Sequence, residues 1–265
     1  MNQLTGENKQ LRKTMTEIVN SGGASHIGTS FSCVEILNSI YKAVDTEKIR
    51  RKDPLRDRVI VSKGHSAAAV YTVLQHHGLM DVDTLHTYHQ NGSLLSGHVS
   101  HFVEHVEHST GALGHGLSVA VGCAMGLKRR KSKSRVFVVL GDGELNEGSN
   151  WEAMMLASHQ NLDNLMVLVD DNKLGGIGKT SECCSLYPLD DKFTAFGFNC
   201  EIIDGHDEQV ISNCIKNVKV NGKPSALICN TIKGKGISFM ENENVWHYRP
   251  ISNEHLLESI AELEA

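Results

Sequence analysis

Residues 135–143 read RVFVVLGDG, an apolar and largely β-branched run that ends in two glycines on either side of Asp142. A continuous apolar run of this length is typical of a strand that is buried on both faces of a sheet. A second run of this kind, LMVLV at 165–169, leads into Asp-Asp-Asn at 170–172. The sequence thus predicts two buried strands that each end in a short polar turn.

Helical and strand-like segments alternate along the rest of the chain. Apolar residues recur at helical spacing at 32–43, for example. We predict helices at 3–20, 32–43, 66–77, 117–127, 151–159 and 253–265, and further strands at 58–62, 200–203 and 226–229. This alternation predicts an α/β fold, a doubly wound and mostly parallel sheet with helices on both faces. Since the sequence has no repeat, low-complexity tract or Pro/Gly-rich linker, we expect a single domain over residues 1–265.

The two polar turns predict a site for a metal ion and a phosphate group. If strands 135–140 and 165–169 are neighbours, both turns lie at the carboxyl edge of the sheet, where such folds bind ligands. Asp142 and Asn172 would then approach each other, and a carboxylate and an amide oxygen suit a hard cation such as Mg2+. The glycines beside Asp142 would let the backbone approach phosphate closely, and the next helix would offer free N–H groups.

Simpler explanations exist for each turn alone. Either one is more often an ordinary tight turn than a ligand site, so the prediction depends on their combination after two buried strands. Two other phosphate motifs are excluded by their spacing. GKT at 178–180 resembles the end of a P-loop, but Lys173 stands where its first glycine is required. Residues 141–146 contain two glycines of a dinucleotide fingerprint, but Asn146 occupies the third position.

The composition is that of an ordinary globular protein. Hydrophobic residues make up 40% and charged residues 22%, which allows a sizeable core. The formal net charge of -5 does not favour binding to nucleic acid. The first residues do not resemble a signal peptide, and no apolar run reaches membrane-spanning length. The seven cysteines show no paired metal spacing, so we expect reduced thiols and a cytoplasmic location.

Histidine is abundant, with fifteen residues, and it follows glycine at His65, His98, His115 and His206. A single histidine is usually a surface or core residue. Repeated Gly-His pairs in loops are less easily explained that way, because glycine lets a backbone approach a ligand. Imidazole suits the binding of sugar hydroxyls and proton transfer near neutral pH. The pairs therefore predict a polar binding site.

The motif GDG, followed after about thirty residues by Asn172, resembles the thiamine diphosphate signature. Longer segments resemble the transketolase family and keep its chain order from about His26 to His247, which is most of the sequence. They are SHIG at 25–28, DRVIVSKGHSAAAVY around His65, GSLLSGHVS around His98, STGALGHGLSVAVGCAMGLK from Ser109, FGFNCEIIDGHD from Phe196 and TIKGKGISFMENENVWH up to His247. As a set these matches are specific to that family.

This resemblance implies a role for each matching residue. For the metal, it implies that Asp142, the Asn172 side chain and the Leu174 carbonyl bind Mg2+, and that Gly143 and Asn172 also touch the diphosphate. For the substrate it implies that His26 and His98 contact hydroxyl groups of the donor sugar, and that His65 and His247 contact both the diphosphate and the substrate. For the cofactor it implies that the backbone of Gly111, Ala112 and Leu113 contacts the thiamine. Glu147, grouped with the cofactor residues, would lie at a buried acidic subunit interface. Tyr248 replaces the small residue usual after the last histidine.

The resemblance also implies a partner chain. In the family the cofactor lies between two α/β domains, and this sequence ends at Ala265, soon after His247. We therefore expect an N-terminal subunit of a split transketolase, active only with a C-terminal partner in a heterotetramer, that transfers a two-carbon ketol unit from a ketose to an aldose. The alternatives are the alpha-type subunit of a 2-oxo acid dehydrogenase and a non-catalytic cofactor-binding scaffold. The sequence does not determine which ketose and aldose react.

Overall fold

A computed structural model describes residues 4–265. Its described strands form one parallel sheet in the order β1-β2-β3-β5-β4. The strands are β1 (Arg58–Val61), β2 (Val136–Gly141), β3 (Leu165–Asp171), β4 (Asn199–Asp204) and β5 (Ser225–Asn230). The predicted neighbouring position of the two apolar runs is confirmed, because Val136 pairs with Leu165 and Gly141 with Asp170.

Helices connect the strands and cover the sheet. They are α1 (Gly6–Gly22), α2 (Ile27–Ala43), α3 (Thr46–Arg50), α4 (Ala67–His76), α5 (Val82–His86), α6 (Gly116–Arg129), α7 (Gly148–His159), α8 (Thr180–Cys183), α9 (Leu189–Ala195), α10 (Glu208–Lys216) and α11 (Asn253–Glu264). Short 3-10 turns occupy Gly64–Ser66, Gly143–Asn146 and Asn244–His247.

The sequence located the long helices but not all of their boundaries. The helix predicted at 32–43 begins at Ile27, five residues earlier, with Ser30 N–H donating to the His26 carbonyl. Residues 28–30 are Gly, Thr and Ser, so they carry no apolar periodicity although they are buried. Helices α3, α5, α8, α9 and α10 were not predicted. Gln3, the first residue of the helix predicted at 3–20, lies outside the described residues.

Alternating side chains of the central strands enter two separate cores, which confirms the doubly wound fold. Phe137 and Val139 join a core with α1, α2, α4 and α10. Val136, Val138 and Leu140 join the opposite core with α6, α7 and α9. Full burial of one such side chain contributes about 1.5–3 kcal/mol. A strand that is buried on both faces must be apolar at every position, which is the pattern that the sequence shows.

Two further predictions concern the chain as a whole. All seven cysteines are free thiols in the structure. Across residues 4–265 no helix combines the length and apolarity needed to cross a bilayer.

Candidate functional site

A cavity of about 520 Å³ opens at the carboxyl edge of the sheet. Most of the residues predicted for the site line this cavity: His26, His65, His98, Gly111, Leu113, Asp142, Gly143, Asn172, Leu174 and His247. Ala112 and Glu147 are exposed and are not among its lining residues. The Glu147 side chain lies on the outer surface of the single chain, so its contact with another subunit stays a prediction.

Asp142 and Asn172 approach the cavity from adjacent strands. The Asp142 carboxylate is 6% exposed, and its Oδ1 accepts a hydrogen bond from Gly143 N–H at 2.8 Å. Its Oδ2 has no hydrogen-bond partner among the described residues. The Asn172 Oδ1 accepts from Leu174 N–H at 3.0 Å. A buried carboxylate oxygen without a partner is costly, and a cation bound at this position would satisfy it.

The surroundings of Asp142 disfavour its charge. Burial, and then the charges of Asp170 and Asp171, raise the pKa of Asp142 to about 6. The nearby Lys63 ammonium opposes this shift. A divalent cation would reverse the balance, since it replaces like-charge repulsion by attraction. The donor set of carboxylate, amide and backbone carbonyl oxygens fits Mg2+.

Asp170 binds two residues that line the cavity, Lys63 and Asn172, a role that sequence reasoning missed. This fully buried carboxylate accepts hydrogen bonds from Ser32 Oγ at 2.6 Å and from Asn172 Nδ2 at 3.3 Å, and it pairs with the buried Lys63 ammonium. Thr231 Oγ1 donates to its other oxygen. Both oxygens of Asp170 therefore already accept hydrogen bonds from the protein. Asp142, with its unpartnered Oδ2, is the carboxylate that could bind a metal ion.

Lys233 is the second residue that sequence reasoning missed, although it lies within the quoted motif TIKGKG. Its side chain is fully buried, and Nζ donates to the Gly175 carbonyl at 3.2 Å and to the Leu174 carbonyl at 3.4 Å. Burial and the charge of Lys63 lower the pKa of Lys233 to about 8. A buried ammonium beside the edge where phosphate binding is predicted suits an anionic ligand.

The four predicted histidines meet in the cavity. The His26 ring lies 5.5 Å from His65, 5.6 Å from His98 and 5.2 Å from His247, measured between ring centroids. The His65 and His247 rings are also 5.2 Å apart. Segments that are far apart in the sequence therefore supply one polar cluster.

Burial keeps three of these rings neutral. It lowers the pKa of His26 to about 4 and of His247 to about 3, with the charges of neighbouring groups acting in the same direction. The pKa of His65 is also well below its ordinary value for the same main reason. Neutral imidazoles both donate and accept hydrogen bonds, so they match hydroxyl groups of a ligand.

Local backbone geometry positions the rings of His26 and His65. His26 precedes α2 in the left-handed conformation, with φ 68°, and its N–H donates to the His247 carbonyl at 3.2 Å. Such a conformation is uncommon for a residue with a side chain and is found at functional sites. Gly64 lies so near the Thr110 carbonyl that a Cβ would come within 2.3 Å of its oxygen. Glycine is therefore required there, which places His65 beside the loop at 111–113.

Taken together, the lining groups fit a diphosphate with its metal ion. Asp142, Asn172 and the Leu174 carbonyl are hard oxygen donors, and Lys63 adds positive charge to the lining. Lys233 is buried next to the lining, in contact with the Leu174 and Gly175 carbonyls. Gly141, Gly143 and Gly175 leave the backbone accessible beside them.

The chain matches the family described as "Transketolase, thiamine diphosphate binding domain" over residues 6–262. It is 41% identical to one of the subunits of the apulose-4-phosphate transketolase of Actinobacillus succinogenes, over 96% of this chain and 92% of that protein. It is 36% identical to "6-deoxy-6-sulfo-D-fructose transketolase subunit SqwG" of a Clostridium species, over 96% and 94%.

Solved structures show the same similarity. The crystal structure of transketolase from Campylobacter jejuni superposes with a TM-score of 0.89 at 26% identity, over 98% of this chain. This chain spans 42% of that transketolase chain. Transketolase from Leishmania mexicana gives a TM-score of 0.86 at 27% identity, again with 42% of its chain covered. The comparisons do not favour the 2-oxo acid dehydrogenase alternative. The chain therefore belongs to the transketolase family, as an N-terminal subunit that carries the thiamine diphosphate-binding fold.

Proposed function

We propose that this chain forms the diphosphate- and metal-binding half of a ketol-transfer site. The reaction moves a two-carbon ketol unit from a ketose to an aldose. The observation that carries the proposal is the cluster of four histidine rings within one cavity, beside the unpartnered Asp142 oxygen. The first group matches a polyhydroxylated substrate, and the second matches a metal-bound cofactor.

The phosphate end of the cavity would hold the cofactor. Asp142, the Asn172 side chain and the Leu174 carbonyl would bind Mg2+, with Gly143 and Lys233 at the diphosphate. The backbone of Gly111, Ala112 and Leu113 would line the thiamine. When bound, thiamine diphosphate supplies an electron sink for the two-carbon fragment. The chain itself binds and orients the reactants.

The histidines would hold the sugar. His26 and His98 would contact donor hydroxyls, and His65 and His247 would lie between the diphosphate and the substrate. Lys233 donates to Nδ1 of His247 at 2.9 Å, and an ammonium has no acceptor, so the neutral His247 ring carries its proton on Nε2. This leaves an N–H donor available to a substrate oxygen.

The names of the relatives support an anionic ketose as donor. One name contains apulose 4-phosphate and the other 6-deoxy-6-sulfo-D-fructose, so a phosphate or a sulfo group is present in both. We infer that this chain also serves a ketose with an anionic group. The positive charge needed at the far end of that substrate would come mainly from the partner chain.

We propose a heterotetramer of two such chains and two partner chains. The relatives are named as subunits, and the solved transketolases are more than twice as long as this chain. Glu147 is exposed in the single chain, and it packs against Gly114, the residue after the loop at 111–113, because a Cβ on Gly114 would come within 2.4 Å of the Glu147 Cβ. We propose that Glu147 lies at the interface with another subunit.

Reconstitution tests this function. The purified chain should show no ketol transfer with saturating Mg2+ and thiamine diphosphate, and adding the partner chain should restore it. Light scattering should then show a mixed complex. Ketol transfer by the chain alone would contradict the split arrangement, and its absence with the partner for every anionic ketose tested would contradict the function.

A further inference from the structure

Glu144 connects three segments of the cavity wall through one buried carboxylate. Its Oε1 accepts hydrogen bonds from Gly114 N–H at 2.8 Å and from the Ser62 hydroxyl. Its Oε2 accepts from Gly141 N–H at 3.1 Å. Ser62 follows β1, Gly114 follows the loop at 111–113, and Gly141 ends β2. Three segments that are distant in sequence are therefore held at one side chain.

The environment of Glu144 requires an acceptor at both oxygens. All three neighbours act as donors, and the side chain is only 2% exposed, so water does not take their place. An amide would present its NH2 group to the backbone N–H of either Gly114 or Gly141, which is also a donor. A carboxylate accepts from all three neighbours.

Ser62 extends the connection by one hydrogen bond. Its Oγ accepts from Gly116 N–H at 3.0 Å while it donates to Glu144. Gly116 also packs closely against Ser62, because a Cβ on Gly116 would come within 2.5 Å of the Ser62 Cβ. The loop at 111–113 is thus anchored on its C-terminal side at two successive points, directly and through Ser62.

We propose that Glu144 is a positioning residue that sets the loop at 111–113 relative to the metal-binding turn at Asp142. This rests on the proposed function, in which the loop lines the thiamine and Asp142 holds the metal of the diphosphate. One cofactor molecule would touch both elements. The distance between them therefore decides whether both ends of the cofactor bind at once.

Hydrogen exchange on the full chain without cofactor tests the anchoring directly. Glu144→Gln keeps the size of the side chain but places an NH2 group against either Gly114 or Gly141, so at least one of these two amides should exchange roughly tenfold to a hundredfold faster. The core amide of Val167 should keep its rate. A general loss of stability would instead accelerate all three. Glu152→Gln, on the exposed face of α7, is the matched control and should change none of them.

A titration with thiamine diphosphate and Mg2+ tests the consequence. Glu144→Gln should weaken cofactor binding by roughly tenfold, in keeping with the loss of a hydrogen bond to a charged group. If the wild-type complex with its partner does not bind the cofactor, the proposed function fails, while the exchange data still decide the role of Glu144. Unchanged exchange at both Gly114 and Gly141 in Glu144→Gln would overturn the positioning role.

Ser62→Ala gives an independent test that does not depend on the folding of the Glu144 variant. It removes the acceptor for Gly116 N–H and leaves the direct bond from Gly114 to Glu144. Exchange should therefore increase at Gly116 and much less at Gly114. Equal rates to the wild type at Gly116 would overturn the proposed connection.

Discussion

Lys233 Nζ lies 2.9 Å from Nδ1 of His247, so the buried Lys233 contacts a histidine that lines the cavity. The Lys233 charge contributes to lowering the pKa of His247 to about 3, after the larger effect of burial. Burial and the charge of Lys63 lower the pKa of Lys233 to about 8. At neutral pH the pair is therefore an ammonium donating to a neutral ring.

Lys233→Met should weaken binding of thiamine diphosphate and raise the pKa of His247. The methionine keeps the buried stem but removes a charge-assisted donor, so we expect roughly a tenfold to hundredfold loss of affinity. Calorimetry on the assembled enzyme measures the affinity, and ring NMR signals follow the histidine titration. Lys216→Met, on the exposed side of α10, is the control. An unchanged His247 titration would show that the pair does not interact in solution.

Asp142→Asn should abolish Mg2+-dependent cofactor binding but stabilise the metal-free chain. The pKa of Asp142 is raised from 3.8 to about 6, so its ionisation opposes folding, and this cost is fully present above pH 6. Removing the charge should raise the free energy of unfolding near pH 7.5 by about 1–3 kcal/mol. Denaturation with and without Mg2+ and cofactor measures both effects. Equal cofactor affinity in the variant would exclude the metal assignment.

Mg2+ binding should weaken as the pH falls below about 6. The proton and the metal compete for the Asp142 carboxylate, so the affinity should decrease by up to about tenfold per pH unit in that range. His26 and His247 titrate lower, at about 4 and 3, and do not contribute there. Titrations between about pH 5 and 8 in roughly half-unit steps would show the break. A flat profile across this range would contradict the role of Asp142.

His26→Ala and His98→Ala should impair turnover of the ketose donor more than binding of the cofactor. Their proposed partners are sugar hydroxyls, so we expect kcat/KM for the donor to fall by roughly a hundredfold with little change in cofactor affinity. Steady-state kinetics of the reconstituted enzyme test this. His159→Ala, at the exposed end of α7, serves as control. Loss of the cofactor with normal donor kinetics would reverse the assigned roles.

Glu35→Ala should destabilise the fold by about 3–5 kcal/mol, because it leaves the Arg12 charge buried without its partner. Both side chains are fully buried, and His206 also binds Glu35 at 3.1 Å. Despite burial, which acts in the opposite direction, Arg12 and His206 lower the pKa of Glu35 from 4.5 to about 2. The stabilisation is therefore present above pH 4.5 and is lost as the pH falls towards 2.

Urea denaturation of Glu35→Ala against the wild type gives the difference in free energy of unfolding. The exposed pair of Lys13 and Glu264 offers a matched comparison, and Glu264→Ala should leave the midpoint nearly unchanged. Equal midpoints for Glu35→Ala and the wild type would show that the buried pair does not stabilise the fold.

Much of the architecture could be read from single segments. The runs at 135–140 and 165–169 predicted buried strands because an apolar residue at every position reflects burial on both faces. The motif GDG and the following Asn172 predicted that the carboxyl edge of the sheet binds phosphate. The longer motifs predicted membership of the transketolase family, which the comparisons confirm. Each of these signals is local, since periodicity and turn chemistry are properties of neighbouring residues.

The sequence by itself thus determined the five strands, the long helices, the sheet edge and the family. Only the tertiary structure decided which side chains meet. Asp170 pairs with Lys63 across 107 positions, and Glu144 accepts from Gly114 across 30. Neither contact produces a periodic pattern in the sequence, so these charged residues cannot be distinguished there from ordinary surface residues. Strand order and helix packing bring them together in the fold. Spatial neighbours across a parallel sheet depend on every crossover between them, so their contacts are a property of the whole fold.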